Sequence, residues 1–236
     1  VDDNAVNRKV LRSLLKETQI QVTDADGGAA CLELAFQNHY DLIFLDHMMP
    51  EMDGIETLHH LKERKESPCK NTPIVVLTAN AVSGAKEKYL AEGFDDFLSK
   101  PIAPEKLEVM IKRMLPEELV QEAKSSPDAA FLQPRQQDNP SDFLETLPDI
   151  DGLDWQYAWM HLPDPELLAF TVKDFYGQID FAADNLAKAY QRIREPEQRN
   201  QYRILVHAMK SLAATIGIMP LSGVAKLLES AAKDGK

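Results

Sequence analysis

Four features of the first hundred residues carry side chains able to hold a hard cation or handle a phosphoryl group. Asp2 and Asp3 are adjacent carboxylates. Asp46 closes the apolar run in D-L-I-F-L-D-H-M-M-P-E-M-D-G, Thr78 closes I-V-V-L-T-A-N, and Lys100 sits in L-S-K-P-I. Three carboxylates brought together repel one another unless a cation holds them, and hard oxygen ligands suit Mg²⁺. A carboxylate can also attack a phosphoryl group to form an aspartyl-phosphate. That transfer needs positioning and neutralisation of the equatorial oxygens, for which a lysine and a hydroxyl serve. Each feature alone has a plainer reading. An Asp-Asp pair is usually a solvated turn or helix cap, a strand-end Thr is structural, and a Lys before Pro is a surface charge. Their joint placement at strand ends favours the chemical reading.

The elements that must position them follow from periodicity. Residues 41–46, apolar and bounded by Pro50 and Gly54, read as a buried strand of a parallel sheet. Ligands of such sheets sit just outside the strands' carboxyl ends. Residues 20–23, 74–78 and 97–100 read as further strands. Helical patterns cover residues 7–17, 28–38, 56–64, 83–92 and 104–114, and the first places Val10, Leu11, Leu14 and Leu15 on one side. Strands alternating with helices imply an α/β fold with a doubly wound parallel sheet.

From residue 117 the pattern changes. Pro127, Pro134, Pro140 and Pro148 lie among Ser, Gln, Asp and Asn, which reads as a linker over 117–150, with residues 117–124 read as an extension of the preceding helix. Residues 151–236 show no strand signal. A short helix near Trp155 and long amphipathic helices over 164–189, 198–216 and 220–232 predict an all-α helical bundle. In Y-R-I-L-V-H-A-M-K-S-L-A-A-T-I-G, Leu205, Met209, Leu212 and Ile216 form one apolar stripe. His207 points to the other side with Lys210, Ser211 and Ala214, which predicts an exposed face. A histidine on an amphipathic helix is usually a surface residue. A lysine one turn on, able to neutralise a phosphoryl group, and small residues that admit a close partner give it a chemical reading.

Two resemblances follow from these residues. Residues 1–116, through V-D-D-N, D-H-M-M-P-E-M-D-G, T-A-N and K-P-I, resemble a response-regulator receiver domain with its flavodoxin-like fold. The resemblance implies that Asp46 is the phospho-acceptor and that Asp2, Asp3, Asp46 and the backbone carbonyl of Met48 hold Mg²⁺. It also implies that Lys100 binds the phosphoryl group and that Thr78 and Phe97 form a switch pair. Residues around His207 and Lys210 resemble the active helix of a histidine-containing phosphotransfer (HPt) domain, with Ser211 where that family most often has Gly. A receiver followed by an HPt domain resembles the tail of a hybrid sensor histidine kinase. The expected activity is a two-component phosphorelay module, with a histidine kinase core and a downstream response regulator as partners. Exchange of His207 with Asp46 or with a receiver on another protein both fit the linker length. Against the family pattern, most of the first receiver strand precedes Val1 and one more bundle helix is expected after Lys236, so the sequence reads as a piece cut from a longer protein.

Composition narrows the alternatives. Lys+Arg number 26 against 38 Asp+Glu, a formal net charge of −12, which argues against a nucleic-acid binder and serves equally as plain solubility. Cys31 and Cys69 match no metal or disulfide spacing, which points to a reducing compartment. No apolar run reaches membrane-span length and no signal peptide is evident, so the reading is cytoplasmic, as such or as part of a membrane-anchored kinase. A phosphatase of the haloacid-dehalogenase type is disfavoured because Met48 stands where that family needs a second Asp. A phosphate-independent docking module is disfavoured by the intact acid, hydroxyl and lysine set.

Overall fold

The computed structural model describes residues 1–16, 18–64, 66–79, 85–121 and 140–233. Three parallel strands, β1 (Ile43–Asp46), β2 (Ile74–Thr78) and β3 (Asp96–Ser99), pair in the order β1-β2-β3. All five residues of the central β2 are buried, which explains the apolar run that precedes its terminal Thr78. Alternate side chains serve opposite faces. Ile74 and Val76 pack with Leu45 against α2 (Gly28–Gln37), α3 (Gly54–Glu63) and α4 (Ala85–Glu92), through residues such as Ala35, Leu58 and Tyr89. Val75, Leu77 and Leu98 face α1 (Ala5–Leu14) and α5 (Pro104–Met114). The sheet is thus wound on both faces, as expected.

Residues 20–23 are not a strand. A strand needs a ladder, and no sheet partner bonds this segment among the described residues. Val22 packs on the α1/α5 side without pairing. Val1 and Asp2 instead run beside β1. The Val1 nitrogen donates to the Phe44 carbonyl at 2.7 Å, the Asp46 amide donates to the Val1 carbonyl at 2.9 Å, and the Asp2 amide donates to Ala25 at 3.2 Å. These bonds fix the acid pair next to the end of β1.

The remaining elements form the bundle: α6 (Pro140–Glu145), α7 (Trp155–His161), α8 (Pro165–Gln191), α9 (Pro196–Thr215) and α10 (Met219–Lys233). α6 lies inside the expected linker, and Phe143 and Leu147 pack on the bundle core, so that stretch is folded by tertiary contact rather than left as a spacer. Residues 117–119 form a 3₁₀ turn, not a helix extension, and residues 122–124 lie outside the described residues, as do Glu17, Asn80, Ser83, Pro127, Pro134 and Lys236. Asp164 caps α8 by accepting from the Leu167 amide at 2.8 Å, and a proline opens the first turn of α8 and of α9. Gly217 has φ +79°, and a Cβ there would lie 2.2 Å from the Asp154 carbonyl oxygen, so the α9–α10 corner requires glycine.

The two halves meet on α1. Its apolar residues divide into two stripes rather than one side. Leu11 and Leu15 face the sheet. Val6 and Val10 are buried in the bundle core with Ala158, Leu162, Leu168, Phe175 and Ile216, and Leu14 touches both groups. Lys9 lies 3.1 Å from the centre of the Phe170 ring on α8. No helix among the described residues is long and apolar enough to cross a membrane.

Candidate functional site

Parallel register brings Asp46, Thr78 and Lys100 to one sheet edge, since Asp46 aligns with Leu77 and Thr78 with Ser99. Asp2, Asp3 and Asp46 each offer a carboxylate oxygen within 4.8 Å of the others. Lys100 Nζ lies 2.6 Å from Asp2 and 2.8 Å from Asp46. Asn7 donates to both Asp2 oxygens at 3.0 and 3.1 Å, and Arg8 donates to the Asp2 and Asp3 carbonyls at 2.6 and 3.0 Å, so the first turns of α1 hold the acid pair.

Electrostatics follow from burial. Burial raises the Asp46 carboxyl above its ordinary value, opposed chiefly by Lys100 and supported by Asp2. Asp3 is pushed up to about 6, first by burial and then by the Asp2 and Asp46 charges. Burial works against the Lys100 ammonium, but the Asp46 and Asp2 carboxylates outweigh it and hold it above the usual lysine range. One buried lysine among three carboxylates leaves negative charge uncompensated. The hard-oxygen donor set and its spacing fit a divalent cation such as Mg²⁺.

The turn after β1 is built for close approach. A Cβ on Gly54 would sit 2.2 Å from the Asp46 carbonyl oxygen, and the Gly54 amide donates to His47 at 2.9 Å. Asp53 caps α3 through the Ile55 and Glu56 amides, both at 2.9 Å. Met48 is buried in this turn. Thr78 Oγ1 lies 3.0 Å from the Tyr89 hydroxyl, which is 3.1 Å from His47 Nδ1. Burial pushes His47 down to about 4. Tyr89 and His47 were not anticipated from sequence: Tyr89 lies within an otherwise ordinary helix and nothing in its spacing ties it to Thr78. Phe97 is partly buried against the α2/α3/α4 side of the sheet.

The face bearing His207 is not exposed. His207, Lys210, Ser211 and Ala214 are all buried, with α10 packed along α9. Glu229 of α10 reaches both functional candidates, with Oε1 2.7 Å from His207 Nδ1 and Oε2 2.5 Å from Lys210 Nζ. Burial would raise Glu229, but the bonds and charges of His207 and Lys210 prevail and bring it down to about 2. His207 Nε2 is sealed from solvent and has no hydrogen-bond partner among the described residues. Glu229 also escaped the sequence reading, since its partner lies on a separate helix.

An acid pocket with a buried lysine, set at the carboxyl edge of a doubly wound parallel sheet, defines the class of the first half. Residues 1–112 match the family model described as the response regulator receiver domain. Over the whole chain the sequence is similar to the signal transduction histidine-protein kinase BarA of Shigella flexneri and of Escherichia coli K12, 27% identical over 248 aligned positions in each case. The chain spans about a quarter, 24%, of the length of those relatives. The transcriptional regulatory protein SrrA of Staphylococcus aureus NCTC 8325 is 35% identical over 115 residues, covering 49% of this chain and 46% of SrrA. Among solved structures, the Francisella response regulator 1452 receiver domain is 32% identical, covering 48% of this chain and 90% of that one at a TM-score of 0.44. The receiver domain of sensor histidine kinase PA1611 from Pseudomonas aeruginosa PAO1, described with a magnesium ion coordinated in its active site cleft, is 31% identical, with coverages of 48% and 92% and a TM-score of 0.44. The chain therefore carries a receiver domain of two-component signalling related to a histidine-protein kinase.

Proposed function

We propose that the chain is a two-component phosphorelay module, with a receiver domain over 1–116, a connecting segment over 117–150 and an HPt bundle over 151–236. The observation that carries the reading is the acid pocket: Asp46 at a strand end, with Asp2 and Asp3 oxygens within 4.8 Å and Lys100 at 2.8 Å. Asp46 accepts a phosphoryl group from a phosphohistidine donor. Asp2, Asp3, Asp46 and the Met48 carbonyl hold Mg²⁺, which when bound neutralises charge on the transferring phosphoryl group. Lys100 leaves its Asp46 ion pair to bind a phosphoryl oxygen. The Thr78 hydroxyl binds another, exchanging its contact with Tyr89, and Phe97 fills the space left behind. His207, with Lys210 one turn on, relays phosphoryl groups to or from a receiver aspartate. The partners are a histidine kinase core and a downstream response regulator, at the cytoplasmic side of a kinase.

The test is labelling by a small acyl-phosphate donor. Label should appear only with Mg²⁺ and should vanish in Asp46→Ala. Label that survives Asp46→Ala refutes the acceptor assignment.

A further inference from the structure

Burying a polar atom without a partner costs stability, so each such atom in a folded chain needs a reason. Three of them lie along one face of α9: Arg203 Nε, His207 Nε2 and Ser211 Oγ. Each is sealed from solvent and has no hydrogen-bond partner among the described residues. Set four residues apart, these side chains follow one another at about 6 Å intervals along the helix. His207 is 4% exposed and Ser211 5%. A buried hydroxyl on a helix ordinarily returns to the carbonyl four residues back. Thr171 does so to Leu167 at 2.8 Å, and Thr215 to Ser211 at 2.9 Å. The Ser211 hydroxyl makes no such bond. Glu229 occupies the other polar groups nearby, taking Lys210 Nζ on one oxygen and His207 Nδ1 on the other. Its carboxylate keeps the imidazole proton on Nδ1, which leaves a lone pair on Nε2. The face therefore offers a nucleophilic nitrogen with a guanidinium N–H donor one turn before it and a hydroxyl donor one turn after. That order suits a tetrahedral oxyanion attached to the nitrogen. A metal cation would be repelled by the guanidinium, and an apolar ligand would leave both donors unpaired.

We propose that Arg203 and Ser211 are the donors that hold the phosphoryl oxygens of a phosphohistidine formed on Nε2 of His207, an assignment that rests on the relay reading and specifies its binding site. The Arg203 guanidinium donates to one phosphoryl oxygen and the Ser211 hydroxyl to another, on opposite sides of the N–P bond. Ser211 stands where the HPt family most often has Gly, so the hydroxyl contact belongs to this chain and not to the family pattern. The phosphoryl group arrives from an acyl phosphate on a receiver aspartate. The Nε2 lone pair forms the N–P bond as the acyl P–O bond breaks, and the electron pair of that bond stays on the donor carboxylate. The positive charge gained by the imidazole is balanced by Glu229, to which the Nδ1 proton remains bonded. Arg203 offsets one of the phosphoryl charges. Loading needs a local opening of this face, after which the phosphoryl group satisfies both unpaired donors.

The experiment uses the full chain, radiolabelled phosphoramidate and Mg²⁺, and measures alkali-stable phosphohistidine at plateau. The donor gives up its phosphoryl group and leaves as ammonia. Arg203→Gln should lower the plateau about tenfold and Ser211→Ala about three- to fivefold, the difference between a charge-assisted and a neutral hydrogen bond. The ³¹P resonance of the phosphohistidine, followed across about pH 5–8, gives the midpoint at which the phosphoryl group takes up its last proton. A nearby cation favours the dianion, so Arg203→Gln should raise that midpoint and Arg203→Lys should restore it. The Ser211 hydroxyl is unpaired before loading, so Ser211→Ala should unfold at no lower temperature than wild type. A Ser211→Ala chain with a lowered Tm means that the hydroxyl is already bonded and overturns the site. Alkali-stable label that needs His207 but keeps the wild-type plateau and midpoint in both Arg203→Gln and Ser211→Ala also overturns the site, and leaves the relay standing. Alkali-stable label that is absent from wild type, or that survives His207→Gln, overturns the relay through His207 and this site with it.

Discussion

Glu229→Ala tests the clamp that joins α10 to α9. The carboxylate makes two short bonds, 2.7 Å to His207 and 2.5 Å to Lys210, and both partner side chains are under a tenth exposed. A hydrogen bond to a charged group contributes about 1.5–3 kcal/mol, and stripping one partner from a buried ion pair costs about 3–5 kcal/mol. Lys210 would be left buried beside a neutral methyl, so a loss near 3 kcal/mol is expected. For a chain of this size that corresponds to a fall in Tm of about 6–12 °C by far-UV circular dichroism at pH 7. Glu229→Gln keeps an acceptor for the Nδ1–H but removes the countercharge, and should fall between the two proteins. The pH dependence supplies a second handle. Glu229 titrates at about 2 in the folded protein against an ordinary value of 4.5, so its contribution is complete above pH 4.5 and fades as the pH falls toward 2. The stability difference between wild type and Glu229→Gln should therefore shrink across that window, other carboxylates being common to both. A Glu229→Ala protein within about 0.5 kcal/mol of wild type, or a difference that does not change below pH 4.5, would mean that Glu229 does not clamp α10 to α9.

Two further outcomes are expected. Gly54→Ala places a Cβ 2.2 Å from the Asp46 carbonyl oxygen, so the loop after β1 must move; a loss of about 2–4 kcal/mol in urea unfolding and at least a tenfold slower acyl-phosphate labelling should follow, and a wild-type unfolding curve would contradict it. Tyr89→Phe removes the hydroxyl between Thr78 and His47 and should cost about 1 kcal/mol, read as a lower urea midpoint with an unchanged slope.

What the sequence makes legible depends on whether the cause is local. β2 is readable because burial on both faces favours apolar residues along the strand: all five positions are buried, and four of them, Ile74 to Leu77, are apolar. The acid pocket is readable because parallel strands end at one edge, so residue type at each strand end predicts a shared site. Residues 20–23 are apolar enough for a strand, yet pairing belongs to the partner and not to the segment, and no ladder forms there. The α9 pattern identifies one apolar stripe correctly. It is silent on the opposite face, which Glu229 and α10, some twenty residues on, cover. The α1 pattern is misread for the same reason. Val10, Leu11, Leu14 and Leu15 look like a single side until two different cores claim them.

That division of α1 has a physical consequence for the site. The helix that buries Val6 and Val10 in the bundle also supplies Asn7 to both Asp2 oxygens and Arg8 to the carbonyls of Asp2 and Asp3. Side chains at positions 6 and 10 and those at 7 and 8 are one rigid turn apart, so the bundle cannot pull on the first pair without straining the second. Lys100, 2.6 Å from Asp2, ties the same acid pair to the end of the sheet. The start of α1 is therefore anchored at once to the sheet edge and to the bundle core, a short helix whose two faces belong to different cores.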